Sequence, residues 1–341
     1  MNVAFLANSF HINKTKSVDF LVDLLREEFG GVTIVPHKEA WAQLPGRKWD
    51  LLVVFQKRYP PEELEAFGAD RVVLVPMYDD IPLEESFWKK YVKFKVLCFS
   101  STMVPLLRSY GICALGVRYY PEPPRRTADF GTEAGLRGFF WPRVTTIDWS
   151  CIRRLIGQTV FSRMHIHWTP EVHGDLSAPV MDDELFAGKV TTSSWSGDRT
   201  EYQDRLADSN VFFASRTAEG IGNSFLEAMA MGLCVVAPNA PTMNEYIQHG
   251  INGLLYDPGH PVPLDFSSAK ELGAAARSSS EIGRQEWLGS APAIRSFLEE
   301  PLPAYRPRVH PLLSIKGRSL AEARIAYRFL KRMARKGPQS P

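Results

Sequence analysis

Over the first 120 residues short apolar runs alternate with stretches of helical spacing, and this alternation constrains the fold more than any other feature of the chain. Val3–Ala7, Val32–Val35, Leu51–Phe55, Val72–Val75 and Val96–Phe99 are apolar runs of strand length, with a sixth near Cys113–Val117. They read as strands buried on both faces, since neither face is left polar. Between them, Ser17–Phe29 and Pro60–Phe67 repeat apolar residues at helical intervals, and the pair Pro60-Pro61 suits a helix start. Strands alternating with helices predict a parallel, doubly wound α/β sheet.

The pattern breaks at Pro121-Glu-Pro-Pro-Arg-Arg and the glycine-containing stretch after it, which reads as a linker, and then resumes. The second series has strands at Gly138–Trp141, Met164–Trp168, near Val190, Val211–Ser215 and 233–237. Its helices fall near Trp149–Ile156, Thr200–Ala207 and Ser224–Met231. Thr242-Met-Asn-Glu245 has capping-box spacing and predicts a further short helix. The expected division is a first domain over 1–120, a linker over 121–138, a second domain over 139–300 and a helical tail over 301–341. A length of 341 residues suits two such domains. Apolar and charged fractions of 45% and 23% are those of a soluble globular protein, and no run approaches the roughly 20 apolar residues of a membrane span. The N-terminal segment lacks the basic start and long apolar stretch of a signal peptide. The four cysteines are scattered and read as small buried residues in a reducing compartment, so a cytoplasmic location is expected.

Chemistry concentrates between Glu219 and Glu227, where the chain reads EGIGNSFLE. Two carboxylates flank a loop holding Gly220 and Gly222 that joins a strand to a helix. Open α/β sheets bind ligands at the C-terminal ends of their strands, and the free amides of a new helix attract an anion such as a diphosphate.

The segment from Ser215 to Gly259 carries more than this pair. Glu227 opens Glu-Ala-Met-Ala, a small-residue turn precedes Val-Val-Ala, and Asn244-Glu-Tyr-Ile leads to Gly250-Ile-Asn-Gly-Leu-Leu. Together these residues resemble the donor-binding half of retaining GT-B glycosyltransferases of the family-4 type, which make bacterial surface polysaccharides and glycolipids. A weaker match reaches back to Phe139 and forward to Leu298; the first 120 residues match in architecture alone.

The resemblance implies two Rossmann-like domains facing a cleft, with a C-terminal helix. It implies that Glu219 reaches donor-sugar hydroxyls, that Glu227 reaches the ribose, and that amides around Asn223, Ser224, Phe225 and Leu226 meet the diphosphate. Gly220 and Gly222 would let that backbone come close. Arg143, in Phe-Phe-Trp-Pro-Arg, stands where the family has the arginine of Gly-Arg-Leu, a residue that holds the departing diphosphate. The lysine that follows in the family has no counterpart here; Arg153, Lys189 or a residue of the other domain are the candidate substitutes.

In the first domain, Lys14 and Lys16 follow the first strand at the expected ligand edge, and either one is a phosphate ligand or both are solvated lysines. Asp79 and Asp80 follow the fourth strand, either as a base that orients the acceptor hydroxyl or as caps of the next segment. No metal and no cofactor are expected. His165 and His167 alternate along one strand face without a third ligand, which reads as packed or hydrogen-bonded histidine. The tryptophans Trp141, Trp149, Trp168 and Trp195 read as core.

The chain has a net charge of +2, yet residues 306–336 hold ten Lys/Arg against the single Glu322. Along 319–336 the apolar residues form a helical stripe, which suits either docking on the first domain or an anionic membrane surface. The tail lacks the aromatic platform of a single-strand nucleic-acid binder. The sequence reading is therefore a retaining glycosyltransferase acting on a UDP-, GDP- or dTDP-sugar and a glycan or lipid-linked acceptor. The alternative is a non-catalytic GT-B-like protein that binds a nucleotide sugar or scaffolds an assembly.

Overall fold

The computed structural model describes residues 1–131, 135–168, 189–194 and 199–302, so the tail stripe of 319–336 and Trp195 lie outside the described residues. Among the described residues the chain forms two compact units. The first is Met1–Val117 together with the segment that begins at Ala291; the second is Arg118–Ser290.

In the first unit the order is β1 (Val3–Ala7), α1 (Asp19–Phe29), β2 (Val32–Pro36), α2 (Ala40–Gln43), β3 (Leu51–Phe55), α3 (Pro61–Ala66), β4 (Val72–Val75), α4 (Glu85–Trp88), β5 (Lys95–Cys98), α5 (Met103–Ser109) and β6 (Cys113–Gly116). The predicted strands are all present. The sheet is parallel throughout with order β2-β1-β3-β4-β5-β6. The order reverses between β1 and β3, because β2 lies on one side of β1 and every later strand on the other. β1, β3 and β4 are buried along their whole length, as a strand covered on both faces must be.

The second unit contains β7 (Leu136–Phe140), α6 (Trp149–Ile156), β8 (Phe161–His167), β9 (Val190–Ser193), α7 (Arg199–Ala207), β10 (Val211–Phe213), α8 (Asn223–Met231), β11 (Cys234–Pro238), α9 (Met243–Tyr246), β12 (Leu254–Tyr256) and α10 (Ala269–Gly289). Its six strands are again parallel, ordered β12-β11-β10-β7-β8-β9. Taken in chain order this is the 3-2-1-4-5-6 arrangement of a dinucleotide-binding sheet, with its switch point between β7 and β10. Val211, Phe212 and Phe213 pair with Gly138, Phe139 and Phe140, so the two strands end level with each other. α10 packs against α8 at a glycine: a Cβ on Gly273 would lie 2.2 Å from the Gly232 carbonyl oxygen.

The proline-rich stretch packs onto the second unit. Arg126 bonds Asp204 and Asp208 at 2.8 and 2.9 Å, and the Ala128 amide donates to the Met231 carbonyl at 2.8 Å. A final helix, α11 (Ala291–Glu299), belongs to the first unit although it follows the second in sequence. Ile294 and Leu298 are fully buried. Arg295 stands over the Phe29 ring of α1 at 5.7 Å and pairs with Glu28 at 3.5 Å. The four cysteines are free thiols, three of them buried. No helix among the described residues is long and apolar enough to cross a membrane.

Candidate functional site

The switch point of the second unit is formed by three turns. The first leaves β7 through Trp141-Pro142-Arg143. The second leaves β10 through Ala214 to Gly222 and enters α8. The third leaves β11 and enters α9. Because Phe140 and Phe213 are paired, Arg143 and Arg216 emerge at the same offset past the ends of neighbouring strands.

Two bonds fasten the second turn to the third. The Glu219 amide donates to the Pro241 carbonyl at 3.0 Å, and Thr242 Oγ1 donates to the Ile221 carbonyl at 3.4 Å. The second bond takes the hydroxyl that the capping-box spacing assigned to α9. Thr242 makes no side-chain cap, is fully buried, and contributes only its carbonyl to Glu245 N–H at 2.9 Å. Local capping gives way here to a tertiary tie on the loop that carries Glu219.

Glu219 retains 18% of its side-chain exposure and faces Arg216, with Nε to Oε1 at 3.9 Å. Arg216 was missed in reading the sequence. Its signal was positional: it stands three residues before Glu219 and three past a strand end, just as Arg143 stands past β7. The helix begins at Asn223, and Gly222 precedes it in the left-handed region at φ +82°. Only glycine fits there, since a Cβ would meet the Phe225 ring at 2.0 Å. Gly222 supplies no side-chain cap to the first amides of α8, and an uncapped helix start offers those amides to an anion. Leu226 N–H is engaged by the Gly222 carbonyl at 3.1 Å. The Ser224 and Phe225 amides precede that first helical bond. Phe225 and Leu226 side chains are buried, as is Gly220, whereas Asn223, Ser224 and Glu227 are half-buried along the start of the helix.

Arg143 lies half-buried with its guanidinium 4.4 Å from the centre of the Trp141 ring, close enough for a cation–π attraction. Trp141 meets His167 edge-on at 4.9 Å. His165 bonds Thr191 and Ser193 hydroxyls, both at 2.9 Å, and His167 Nδ1 bonds Ser193 at 2.8 Å. One hydroxyl hydrogen cannot serve both rings, so Ser193 donates to one and accepts from the other. Burial, with Arg143 second, pushes His167 down to about 4; burial and Arg205 do the same for His165. Both rings are neutral at pH 7, and the pair is packed and hydrogen-bonded. Among the described residues no three His, Cys, Asp or Glu side chains gather to hold a metal ion.

Of the substitutes for the absent lysine, Lys189 precedes β9 and gives its carbonyl to Met164 N–H, which puts it at the opposite, N-terminal edge of the sheet. Arg153 is in the last turn of α6, the far end of that helix from the Arg143 turn.

The remaining candidates belong to the first unit. Lys14 ends a π-helical turn, Phe10–Lys14, just past β1, with Nζ 5.8 Å from the centre of the Phe10 ring. Asp79 and Asp80 lie in the turn after β4, where Asp80 N–H donates to Met77 O at 3.1 Å. Asp80 stands 3.8 Å from Arg58, and α4 begins with Glu84 at its cap position rather than either aspartate.

Residues 167–269 match the model of a family described as glycosyl transferases group 1, a span that contains the whole Glu219–Glu227 corner. No curated protein matches the chain. Among solved structures, sucrose-phosphate synthase from Thermosynechococcus elongatus superposes with a TM-score of 0.63 at 12% identity, covering 86% of this chain and 97% of that one. HepE from Anabaena, in complex with UDP and glucose, gives 0.57 at 13% identity over 86% and 100%. TarM from S. aureus gives 0.52 at 16% identity over 71% of this chain, which spans only 54% of TarM's length. At such identities the likeness establishes the fold: two Rossmann-like α/β units of the GT-B type.

Proposed function

We propose that the chain is a glycosyltransferase that moves a sugar from a nucleotide-sugar donor to a glycan or lipid-linked acceptor with retention of configuration, in the building of cell-surface polysaccharide. The observation that carries this reading is the corner at the β7/β10 switch point. There an uncapped helix start, an anchored glutamate and Arg216 lie in the segment that matches the group 1 family, and Arg143 stands on the adjacent turn before it.

Each part has a role in that chemistry. The Ser224 and Phe225 amides and Arg143 receive the diphosphate, and Arg216 supplies the second cation that the sequence pattern lacks. As the glycosidic bond breaks, negative charge builds on the leaving diphosphate, and fixed donors already aimed at it lower the barrier. Glu219, its loop tied to Pro241, accepts hydrogen bonds from donor-sugar hydroxyls. Glu227 does the same for the ribose, two oxygens per carboxylate suiting paired hydroxyls. The acceptor is held on the first unit, where Asp79 or Asp80 orients its hydroxyl. The enzyme acts in the cytoplasm, and the basic stretch 306–336 draws it to an anionic membrane surface.

Binding of a UDP-, GDP- and dTDP-sugar panel to wild type, Glu219→Ala and Arg143→Ala tests this. HepE holds UDP and glucose, so UDP-glucose is the first probe. One donor should bind, and each substitution should weaken it about tenfold or more, the scale of one charge-assisted contact. If no donor binds, or neither substitution matters, the non-catalytic alternative replaces this reading.

A further inference from the structure

Beside the switch point of the first unit, the turn after β3 carries a positive φ at a residue other than glycine. Lys57 N–H donates to the Phe55 carbonyl at 2.8 Å across the single residue Gln56, which sits at φ +67°. A three-residue turn with a positive central φ is the rare, strained hand of the γ-turn, and here it is held without glycine. Strain of this kind persists where surrounding structure enforces it, commonly at ligand sites. The enforcement is visible. Gln56 N–H donates to Val75 O at 2.9 Å, and Phe55 O also accepts from His37 Nε2 at 3.2 Å.

The turn throws Lys57 and Arg58 outward over a recess walled by Tyr59, Ile81, Trp88 and Tyr91. Tyr59 is buried and clamped at both ends. Its hydroxyl meets His37 Nδ1 at 3.1 Å, and its carbonyl accepts from the Tyr91 hydroxyl at 3.0 Å. His37 is neutral, because burial and Lys57 push it down to about 4, so its Nδ1 accepts from Tyr59 while Nε2–H donates to Phe55. Lys57 meets no carboxylate among the described residues; its Nζ rests 4.9 Å above the Tyr59 ring instead. Among the described residues Arg58 pairs with a carboxylate only in the loose, half-exposed contact to Asp80 at 3.8 Å. The neighbouring exit after β1 adds Lys14 and Lys16 and no acid before Asp19. Two adjacent cations on an enforced turn, over a recess between the ends of β3 and β4, form a receptor for an anion attached to a compact polar body.

We propose that this recess is the acceptor subsite and that it takes a phosphoryl group, Lys57 and Arg58 binding its oxygens while the sugar or polyol that carries it lies at the mouth of the recess. The enzyme's acceptor is then a phosphate ester. This rests on the transferase reading above and names its substrate class. On binding, Arg58 exchanges Asp80 for phosphate, and Asp80 is released beside the acceptor.

The same phosphate chemistry reaches the site either from a soluble ester or from a lipid, and two probes separate them. Binding of glycerol 3-phosphate is compared with glycerol by calorimetry. Binding of phosphatidylglycerol-containing vesicles is compared with phosphatidylcholine vesicles by co-sedimentation. Each uses the full chain as wild type, Lys57→Gln/Arg58→Gln and Lys57→Arg/Arg58→Lys. The expected result is a preference for glycerol 3-phosphate over glycerol, or for phosphatidylglycerol over phosphatidylcholine, whose phosphate charge is offset by choline; the preference is reduced about tenfold or more by the Gln pair and retained by the charge-conserving pair. The responding arm identifies the source. A preference untouched by the Gln pair in both arms, or no preference in either, overturns the proposal. Binding of the UDP-, GDP- and dTDP-sugar panel by wild type is measured alongside: binding of one donor with a failed phosphate arm sinks the acceptor subsite alone, and binding of none sinks the transferase reading.

Discussion

Single residues divide into those whose role the chain order displays and those that only register reveals. Glu219, Gly222 and Glu227 stand in one short stretch with a recognisable spacing, and the strand–loop–helix corner could be read from them directly. Arg216 lies in the same stretch but needed the pairing of Phe140 with Phe213 to show that it shares an edge with Arg143. Trp141 was read as core, yet it is half-buried and carries the Arg143 guanidinium; composition cannot tell a packed ring from a platform. The histidines make a prediction at this scale. His165 and His167 have folded values near 4 against an ordinary 6.5, so the unfolded chain takes up protons first as pH falls. Their contribution to stability is complete above pH 6.5 and drains away as pH drops towards 4, by roughly 2 kcal/mol per histidine at pH 5. Urea unfolding at pH 7.5 and 5.0 should show this loss, and a His165→Asn/His167→Asn variant should show a smaller one. An unchanged pH dependence in the variant would mean that the pair is not the source.

Elements were the most legible level, because strands covered on both faces leave uninterrupted apolar runs and the helices between them keep their spacing. What escaped was tertiary. Thr242 has the sequence of a helix cap but spends its hydroxyl on Ile221, and α11, read as part of the second domain, packs with the first. The reason for the latter is chemical. Lys95, 4% exposed at the start of β5, donates to the carbonyls of Phe297 and Glu300 and sits 5.0 Å from the Phe297 ring, while Arg71 donates to the Glu299 carbonyl. Two cations thus satisfy the last carbonyls of α11, where the helix dipole is negative. Burial lowers the Lys95 ammonium below the usual lysine range, yet its carbonyl ligands favour the charged form. Lys95→Met should strand those carbonyls and destabilise the first unit by about 1–3 kcal/mol. Amide exchange along 291–299 should rise while exchange in β10 and β11 stays as in wild type. Equal protection of α11 in both proteins would count against the fastening.

At the scale of the whole molecule, two α/β domains were evident from the broken and resumed alternation, and the GT-B architecture from the resemblance carried by residues 215–259. The boundary was less evident, since a linker's composition says nothing of what the chain does after leaving the second unit. It crosses from first unit to second between Val117 and Arg118, and back between Ser290 and Ala291. A fragment of 118–290 should therefore unfold cooperatively by itself, whereas 1–117 should not, because the seats of Ile294, Leu298 and the Lys95-bound carbonyls would be empty. Circular dichroism with urea titration of each fragment checks this, and a cooperative transition in 1–117 would show that α11 is dispensable. The return of α11 also sets a timetable. On the ribosome the strands β1 to β6 emerge first but must wait for all of the second unit before the helix that closes them is made, a delay of roughly 10 to 30 s at ordinary elongation rates. Through that interval the nascent sheet has an open apolar seat and an unanswered buried lysine, a surface for chaperones to cover. In order of completion, the second half of this molecule is finished before the first.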